Sequence, residues 1–165
     1  MDRLQFYKEM YFHENAIKHK LDDKISMPTA MLTVIVSVHA YIFGKDIHGL
    51  TFDLIKIVSV FAGSALVFCL FYMAKSMFNL GATRAYRELN QMNEYRNYDL
   101  QLKQHNQEHK YSEHLEAQFA EGASINARIN ISRTEAMAKC KRSLFFCLIF
   151  TFINGLLFVN YTAHP

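Results

Sequence analysis

Three apolar runs constrain this chain more than any other feature of its sequence. They are 19, 21 and 21 residues long, contain the single charged residue Lys56, and cover Ile25–Phe43, Leu54–Ala74 and Ser143–Ala163. A hydrocarbon core about 30 Å thick is crossed by roughly 20 residues of α-helix, and a helix satisfies its own backbone hydrogen bonds in lipid. The sequence therefore predicts three transmembrane helices.

The polar segments are expected to be helical as well, which makes the fold class an all-α integral membrane protein. Residues 1–24 lack Gly and Pro and carry apolar residues at helical spacing, a pattern that predicts an N-terminal amphipathic helix. Residues 75–142 form a polar insert between the second and third spans. We expect the second span to continue as a helix to Leu102 and a return helix interrupted at Gly122. Together these would form an antiparallel helical stalk.

The distribution of Lys and Arg predicts the orientation of the chain in the lipid bilayer. Five of these residues lie in residues 1–24, one in residues 44–53 and eleven in residues 75–142, and none follows residue 160. Because positively charged loops stay on the cytoplasmic side, the N-terminus and the insert are expected in the cytoplasm and the C-terminus outside. The same basic residues can meet anionic lipid headgroups, at about 1 kcal/mol each near the surface.

Several function classes find no support in the sequence. The three cysteines, Cys69, Cys140 and Cys147, are an odd number without a Cys-x-x-Cys pair, and two of them lie within predicted spans. No His-Glu-x-x-His arrangement and no glycine-rich phosphate loop is present. We therefore expect no disulfide, no metal site, no cofactor and no catalytic residue, and hence a protein that is not an enzyme.

Polar and small residues inside the spans are the first candidates for a functional surface. The set consists of Ser59, Gly63, Ser64 and Asn154. Small residues let helices approach closely and polar ones hydrogen-bond between helices, so these positions indicate either helix packing or the lining of a pore. A pore would require a homo-oligomer, for example a tetramer, because three helices cannot enclose an aqueous lumen. Lys56 either extends to the interface or lies at the mouth of such a pore.

Basic residues before the third span are the second set of candidates. They are Arg128, Arg133, Lys139, Lys141 and Arg142. At the cytoplasmic face they would either contact lipid headgroups as a basic collar or bind an acidic partner or a polyanionic ligand. Both interpretations stay open from the sequence.

Two segments resemble the SLATT-domain family of small bacterial transmembrane effectors of antiphage defence. The first is Tyr7-Lys-Glu-Met-Tyr-Phe-His-Glu, followed by the basic stretch Lys18–Lys24 and by Ser26-Met-Pro28 at the start of a span. The second is Ala123-Ser-Ile-Asn-Ala-Arg-Ile-Asn-Ile-Ser-Arg133 with its basic approach to the third span. The similarity covers most of the chain and consists of a pattern of spans, aromatic residues and Asn, Lys and Arg positions.

The resemblance implies a function and a set of partners. Such an effector oligomerises into a pore in the bacterial inner membrane, is restrained or triggered through a partner or nucleotide signal, and arrests or kills the infected cell. The implied regulatory partner is a nucleotidyltransferase or its nucleotide or oligonucleotide product, as in cyclic-oligonucleotide and Hailong-like systems, or a retron reverse transcriptase. No appended sensor domain is evident, so the signal would have to reach the cytoplasmic helices or come through a separate partner protein.

Two alternative functions are compatible with the same residues. A phage holin is also small and can have three spans, although holins usually lack a long patterned insert. A membrane scaffold would use its cytoplasmic helices to hold a soluble enzyme at the bilayer without conducting ions. A bound partner could restrain a pore only through its different affinity for the closed and open states.

Overall fold

The fold is entirely helical over the residues that the structure describes. The structure is a computed structural model and describes residues 3–45, 48–80, 85–89, 92–104, 107 and 109–163. Five helices follow one another along the chain, and no strand occurs in the described residues: α1 (Arg3–Asp23), α2 (Ser26–Phe43), α3 (Leu50–Met77), α4 (Met92–Gln104) and α5 (His109–Ala163). The predicted all-α class is confirmed.

Three stretches are long and apolar enough to cross a membrane, as predicted. They are Arg3–Phe43, which contains α1 and α2, Leu50–Met77 and Lys110–Ala163. The chain is compatible with a multi-pass membrane protein on these grounds of length and composition.

Buried residues recur every seven positions along the helices. In α3 they are Ile55, Ala62, Cys69 and Ser76. A seven-residue repeat keeps one narrow stripe of a helix facing its neighbours, as in left-handed coiled coils. Residues beside this stripe, such as Ser59 and Leu66, are partly buried, and the far side of α3 is exposed, which is the arrangement expected when lipid covers the outside of a helix.

The predicted long helix beyond the second span is wrong. Helix α3 ends at Met77, and residues 85–89 are not helical. Asn79 adopts a left-handed conformation with φ of 52°, and the Leu80 amide donates to the Lys75 carbonyl at 3.2 Å. Asn tolerates this conformation better than most residues, so it ends the helix in a Schellman-type turn.

The predicted interruption at Gly122 is also wrong, because α5 runs through it without a break. A Cβ atom at Gly122 would lie 2.9 and 3.0 Å from two carbon atoms of the Tyr11 ring. The close approach of the Tyr11 ring therefore explains why residue 122 is a glycine, and no helix end is involved. Between α3 and the last part of α5, the described residues form the short helix α4 and the first part of the 55-residue helix α5.

The chain divides into two compact units. The polar unit comprises Met1–Leu21 and Gly81–Ser132, and the apolar unit comprises Asp22–Leu80 and Arg133–Pro165. Tyr11, Phe119 and Ala123 form the core of the polar unit, with partly buried Leu4, Tyr7, Leu89 and Leu115 against it. Helix α5 contributes its first part to the polar unit and its last part to the apolar unit.

The apolar unit packs α2, α3 and α5 around two clusters. The larger contains Leu32, Ile35, Cys69, Cys140, Leu144 and Cys147, and the smaller contains Ile42 and Ile55. Its exterior is apolar too: Val60 is 68% exposed and Phe152 is 67% exposed. A contiguous apolar exterior of this kind suits contact with lipid or with other helices in a membrane.

Candidate functional site

Six buried residues in the described part of the chain are polar or charged, and four of them lie on α5. They are Glu14, Ser76, Asn126, Asn130, Arg133 and Asn154. The intervals between the α5 members are 4, 3 and 21 residues, so all four fall on one stripe of the helix with seven-residue periodicity. Burying polar groups costs free energy unless they are hydrogen-bonded. This polar stripe is therefore where a functional role is best sought.

Asn126 holds the non-helical segment 85–89 through its backbone. The Asn126 Oδ1 atom accepts from the Arg87 amide at 2.9 Å, and its Nδ2 donates to the Arg87 carbonyl at 3.3 Å. The same Nδ2 donates to Asn15 Oδ1 on α1 at 3.1 Å. The Tyr11 hydroxyl also donates to the Arg87 carbonyl, at 3.3 Å. We call these contacts of Asn126 the Asn126 clamp.

Asn130, one turn further along α5, ties the same helix to α1. Its Nδ2 donates to the Glu14 carbonyl at 2.8 Å and to Glu14 Oε2 at 2.9 Å, and its Oδ1 accepts from the Tyr86 hydroxyl. The Lys18 ammonium lies 4.8 Å from the centre of the Tyr86 ring. Both asparagines thus join α1, α5 and segment 85–89 within the polar unit, and their amides supply the donors and acceptors that this junction requires.

Arg133 is inside the apolar unit and not on its surface. Its side chain is 3% exposed; Nε donates to the Ser76 carbonyl at 2.6 Å, and a terminal nitrogen pairs with the Asp22 carboxylate. The Ser76 hydroxyl donates to the Arg133 carbonyl at 3.3 Å. Arg133 was a candidate for contacting a partner, but this conformation uses it to join three helices. A buried guanidinium needs such partners because it always carries a charge.

The other four basic candidates are exposed, so they stay candidates for a partner, ligand or lipid contact. They are Arg128, Lys139, Lys141 and Arg142. The Lys139 ammonium lies 5.7 Å from the centre of the Tyr72 ring. The other three leave their charges available to solvent, lipid headgroups or an acidic surface.

Asn154 connects the three apolar helices by hydrogen bonds. Its Nδ2 donates to the Ser59 hydroxyl oxygen on α3 at 2.8 Å and lies 3.3 Å from His39 Nε2 on α2. Asn154 is 0% exposed, and its Oδ1 has no hydrogen-bond partner. Two sequence candidates, Ser59 and Asn154, are thus brought together as packing contacts between helices. His39, a polar residue of the first predicted span, completes this group.

Gly63 and Ser64 do not take part in that contact. Ser64 is exposed and donates to the Val60 carbonyl of its own helix at 2.9 Å. Gly63 is exposed, and a Cβ atom there would meet nothing within 4 Å. Gly63, Ser59 and His39 do line one cavity of about 300 Å³ between α2 and α3. Its remaining lining is apolar: Ile35, Val36, Ala40, Phe43, Ala62 and Leu66.

Lys56 is half-exposed near the start of α3. Its ammonium lies 3.3 Å from the Asp53 carboxylate and 4.0 Å from the centre of the Phe52 ring. Both partners precede Lys56 and lie towards the beginning of the helix. The side chain is therefore directed away from the middle of the span, as an interfacial lysine is.

The described residues bring no three His, Cys, Asp or Glu side chains together in a way that could hold a metal ion. The cysteines are free and buried. Cys69 and Cys140 lie with their sulfur atoms 3.5 Å apart, and the Cys147 thiol lies 3.5 Å from the Ala62 carbonyl oxygen. These contacts place the cysteines as small buried side chains between α3 and α5.

Sequence reasoning missed the roles of Asn126, Asn130 and Asp22. The two asparagines were noticed only within the segment that carries the family resemblance. Asn126 and Asn130 are four residues apart, and Arg133 follows three residues later. Intervals of four and three residues are typical of a buried stripe with seven-residue periodicity, and this spacing is the signal that could have identified them.

No protein-family model, curated protein or solved structure matches this chain.

Proposed function

We propose that this chain is a regulated, pore-forming effector that acts in the bacterial inner membrane as a homo-oligomer. In this proposal the polar unit receives a signal from a cytoplasmic partner or a nucleotide, and the apolar unit disrupts the membrane, which arrests or kills the cell. The role in antiphage defence rests on the resemblance to SLATT-domain proteins. The observation that carries the pore is an exposed row of hydroxyl groups on α2.

The hydroxyl row consists of Thr29, Thr33 and Ser37. These residues are exposed and lie four positions apart on one face of a helix that is otherwise strongly apolar. Each hydroxyl donates to the carbonyl four residues earlier, at 3.0, 3.2 and 2.9 Å in chain order. The row can therefore border lipid or protein without unsatisfied donors, yet it still offers oxygen acceptors to water or ions.

An oligomer is required for this row to become the wall of a pore. Three helices packed around Leu32, Cys69 and Leu144 fill their own centre with side chains and leave no lumen. Several copies arranged around an axis could direct α2 inwards and keep the large apolar side chains of the exterior towards lipid. The hydroxyl row therefore supports α2 as a lining helix, beside the α3 face with Gly63 and Ser64, which is also exposed.

In this proposal the polar unit is the receiver of the signal. Segment 85–89 is held through the Asn126 clamp within the polar unit, so a signal that opens this clamp changes the arrangement of the polar unit. A partner alters the state of the pore only if it binds the clamped and released arrangements with different affinity. Exposed Arg128 lies two residues after Asn126 and could contact an acidic or phosphorylated partner.

Depolarisation of cells expressing the chain tests this function. We expect induced expression to collapse the membrane potential reported by a dye before growth stops. The double substitution Thr33→Val and Ser37→Ala should weaken depolarisation at equal membrane abundance. Val34→Leu is the matched control, because Val34 is exposed on the same helix beside the row and has no hydroxyl. Growth arrest with an intact potential would contradict pore formation.

Reconstitution of the purified protein separates the alternatives. Ion flux from liposomes supports a pore, whereas a stable soluble partner together with no flux under any condition supports a membrane scaffold. Release of large proteins instead of ions alone would point to a holin-like lesion. Each outcome is read from the same full-length preparation.

A further inference from the structure

A cavity in the polar unit has no role in the Asn126 clamp or in the proposed pore. Its volume is about 250 Å³, and it lies where α1, segment 85–89, α4 and α5 meet. The most buried residues of its lining are Tyr95 and Phe119, each 9% exposed. Three half-buried leucines complete the apolar lining, namely Leu4, Leu89 and Leu115. The cavity therefore offers an apolar interior to an occupant.

Two other lining residues supply polar groups at this cavity, Lys8 on α1 and Tyr111 on α5. Lys8 is exposed, and its ammonium forms no ion pair in the part of the chain that the structure describes. Tyr111 is half-buried and contacts the Tyr98 ring, with 6.4 Å between the ring centres. The described lining contains no Asp or Glu. An occupant that carries a negative charge beside an apolar group thus complements this cavity.

The size and the chemistry of the lining indicate the class of that occupant. The volume is below the roughly 300–1,000 Å³ of sites for drug-sized molecules. A nucleobase is recognised by hydrogen bonds to its edges as well as by stacking, and the described lining offers only tyrosine hydroxyl groups and the Lys8 ammonium. An apolar side chain needs no hydrogen bond, and such side chains seated in pockets supply much of the affinity of protein interfaces.

We propose that this cavity is the docking site for one apolar side chain of an acidic peptide segment in a regulatory partner. The apolar side chain fills the cavity, and a carboxylate beside it in the peptide pairs with Lys8. This inference rests on the proposed function, because it names the chemistry of the partner that the polar unit receives. The docked side chain contacts all four elements of the lining, so it binds only while they stay together.

Docking should also keep the Asn126 clamp closed. Leu89 lines the cavity two residues after Arg87, whose amide is held by Asn126. A molecule that binds one arrangement of a protein and not another stabilises the first by mass action. The partner therefore restrains the polar unit while it is bound, and its departure allows segment 85–89 to open.

A tryptophan peptide tests the docking site on the full-length protein in nanodiscs. The chain contains no Trp, so the fluorescence of the peptide Glu-Glu-Trp-Glu-Glu is read without background. We expect saturable binding with a shift of emission to shorter wavelength, and none with empty nanodiscs. Lys8→Glu exchanges an exposed attraction for a repulsion of similar size, so the affinity should fall about fivefold. The peptide Lys-Lys-Trp-Lys-Lys should gain affinity for Lys8→Glu by a similar factor.

Two matched controls locate the bound side chain. Lys20→Glu changes an exposed lysine of α1 outside the lining and should leave both affinities unchanged. Leu4→Phe fills part of the cavity and should weaken both peptides, whereas Phe6→Leu, an exposed position on the same helix, should not. Equal affinities of wild type and Lys8→Glu for each peptide would overturn the proposal. Displacement of the acidic peptide by adenosine monophosphate would also overturn it, because the cavity would then be a nucleotide site.

Hydrogen exchange and ion flux separate this inference from the proposed function. With the acidic peptide at ten times its Kd, exchange of the Arg87 amide should slow about tenfold, and unchanged exchange would contradict the restraint. The same peptide should lower ion flux from liposomes. Binding and slower exchange with unchanged flux would refute the transmission of the signal and leave the docking site. Flux without any binding of the peptide would refute the docking site and leave the pore.

Discussion

Replacing Asn126 with alanine should release segment 85–89 from the polar unit. The substitution removes three hydrogen bonds, two to the Arg87 backbone and one to Asn15. Two of these bonds hold Arg87, and each is worth about 1 kcal/mol net. The expected loss is therefore about 2 kcal/mol in the free energy of local opening of the segment.

Hydrogen exchange at the Arg87 amide reports this opening directly. The amide donates to Asn126 Oδ1, so it is protected only while the clamp is closed. A loss of about 2 kcal/mol makes its exchange roughly 30-fold faster when closing is fast relative to exchange. Exchange takes place in the full chain in detergent, and it is read from the proteolytic fragment that covers residues 85–89.

A variant on the same helix serves as the control for this prediction. Ser124 is exposed on α5, two residues before Asn126. Ser124→Ala should leave the exchange of the Arg87 amide unchanged. If Asn126→Ala also leaves it unchanged, the clamp does not hold the segment, and its proposed role as receiver of the signal fails with it.

Two further predictions concern the packing of each unit. Gly122→Ala should lower the free energy of unfolding by about 1 to 3 kcal/mol, and with it the melting temperature, because its Cβ atom would lie 2.9 Å from the Tyr11 ring. Gly155→Ala, which meets nothing within 4 Å, should keep or raise the melting temperature, and equal losses for both would contradict the Tyr11 contact. Mild oxidation should join Cys69 to Cys140, whose sulfur atoms are 3.5 Å apart, and give a faster-migrating band on a non-reducing gel. A band that persists in Cys140→Ser would show that another pair had reacted.

The spans could be predicted because hydropathy is a local property of the sequence. An apolar run of about 20 residues has few alternatives to a transmembrane helix, whatever it packs against. The end of α3 could not be predicted in the same way. The residues after it are rich in helix formers, yet segment 85–89 is non-helical and its backbone bonds to Asn126, 39 residues after Arg87. Tertiary hydrogen bonds can override local helix propensity, and this one links residues that a local window cannot connect.

For the candidate residues too, the residue type could be identified from the sequence, whereas the contacts and the burial depend on how the helices pack. Ser59 and Asn154 were identifiable as polar residues in apolar spans, but their pairing depends on how α3 and α5 pack. Arg133 was expected at the surface, in contact with lipid headgroups or a partner, because it lies in a basic stretch. Its burial follows from the seven-residue stripe that it shares with Asn126, and from the Asp22 carboxylate that meets its guanidinium. Charge alone could not distinguish a surface arginine from a buried one.

The topology of the chain in the membrane tests the central claim most directly. Single cysteines are introduced at Lys45, Ser124 or Thr162, all of them exposed, after the three native cysteines have been replaced by alanine. A membrane-impermeant maleimide added to intact spheroplasts should label the first and the third position, and should label the second only after lysis. Labelling of Ser124→Cys from outside, or of all three positions from one side, would contradict three spans with the polar unit in the cytoplasm.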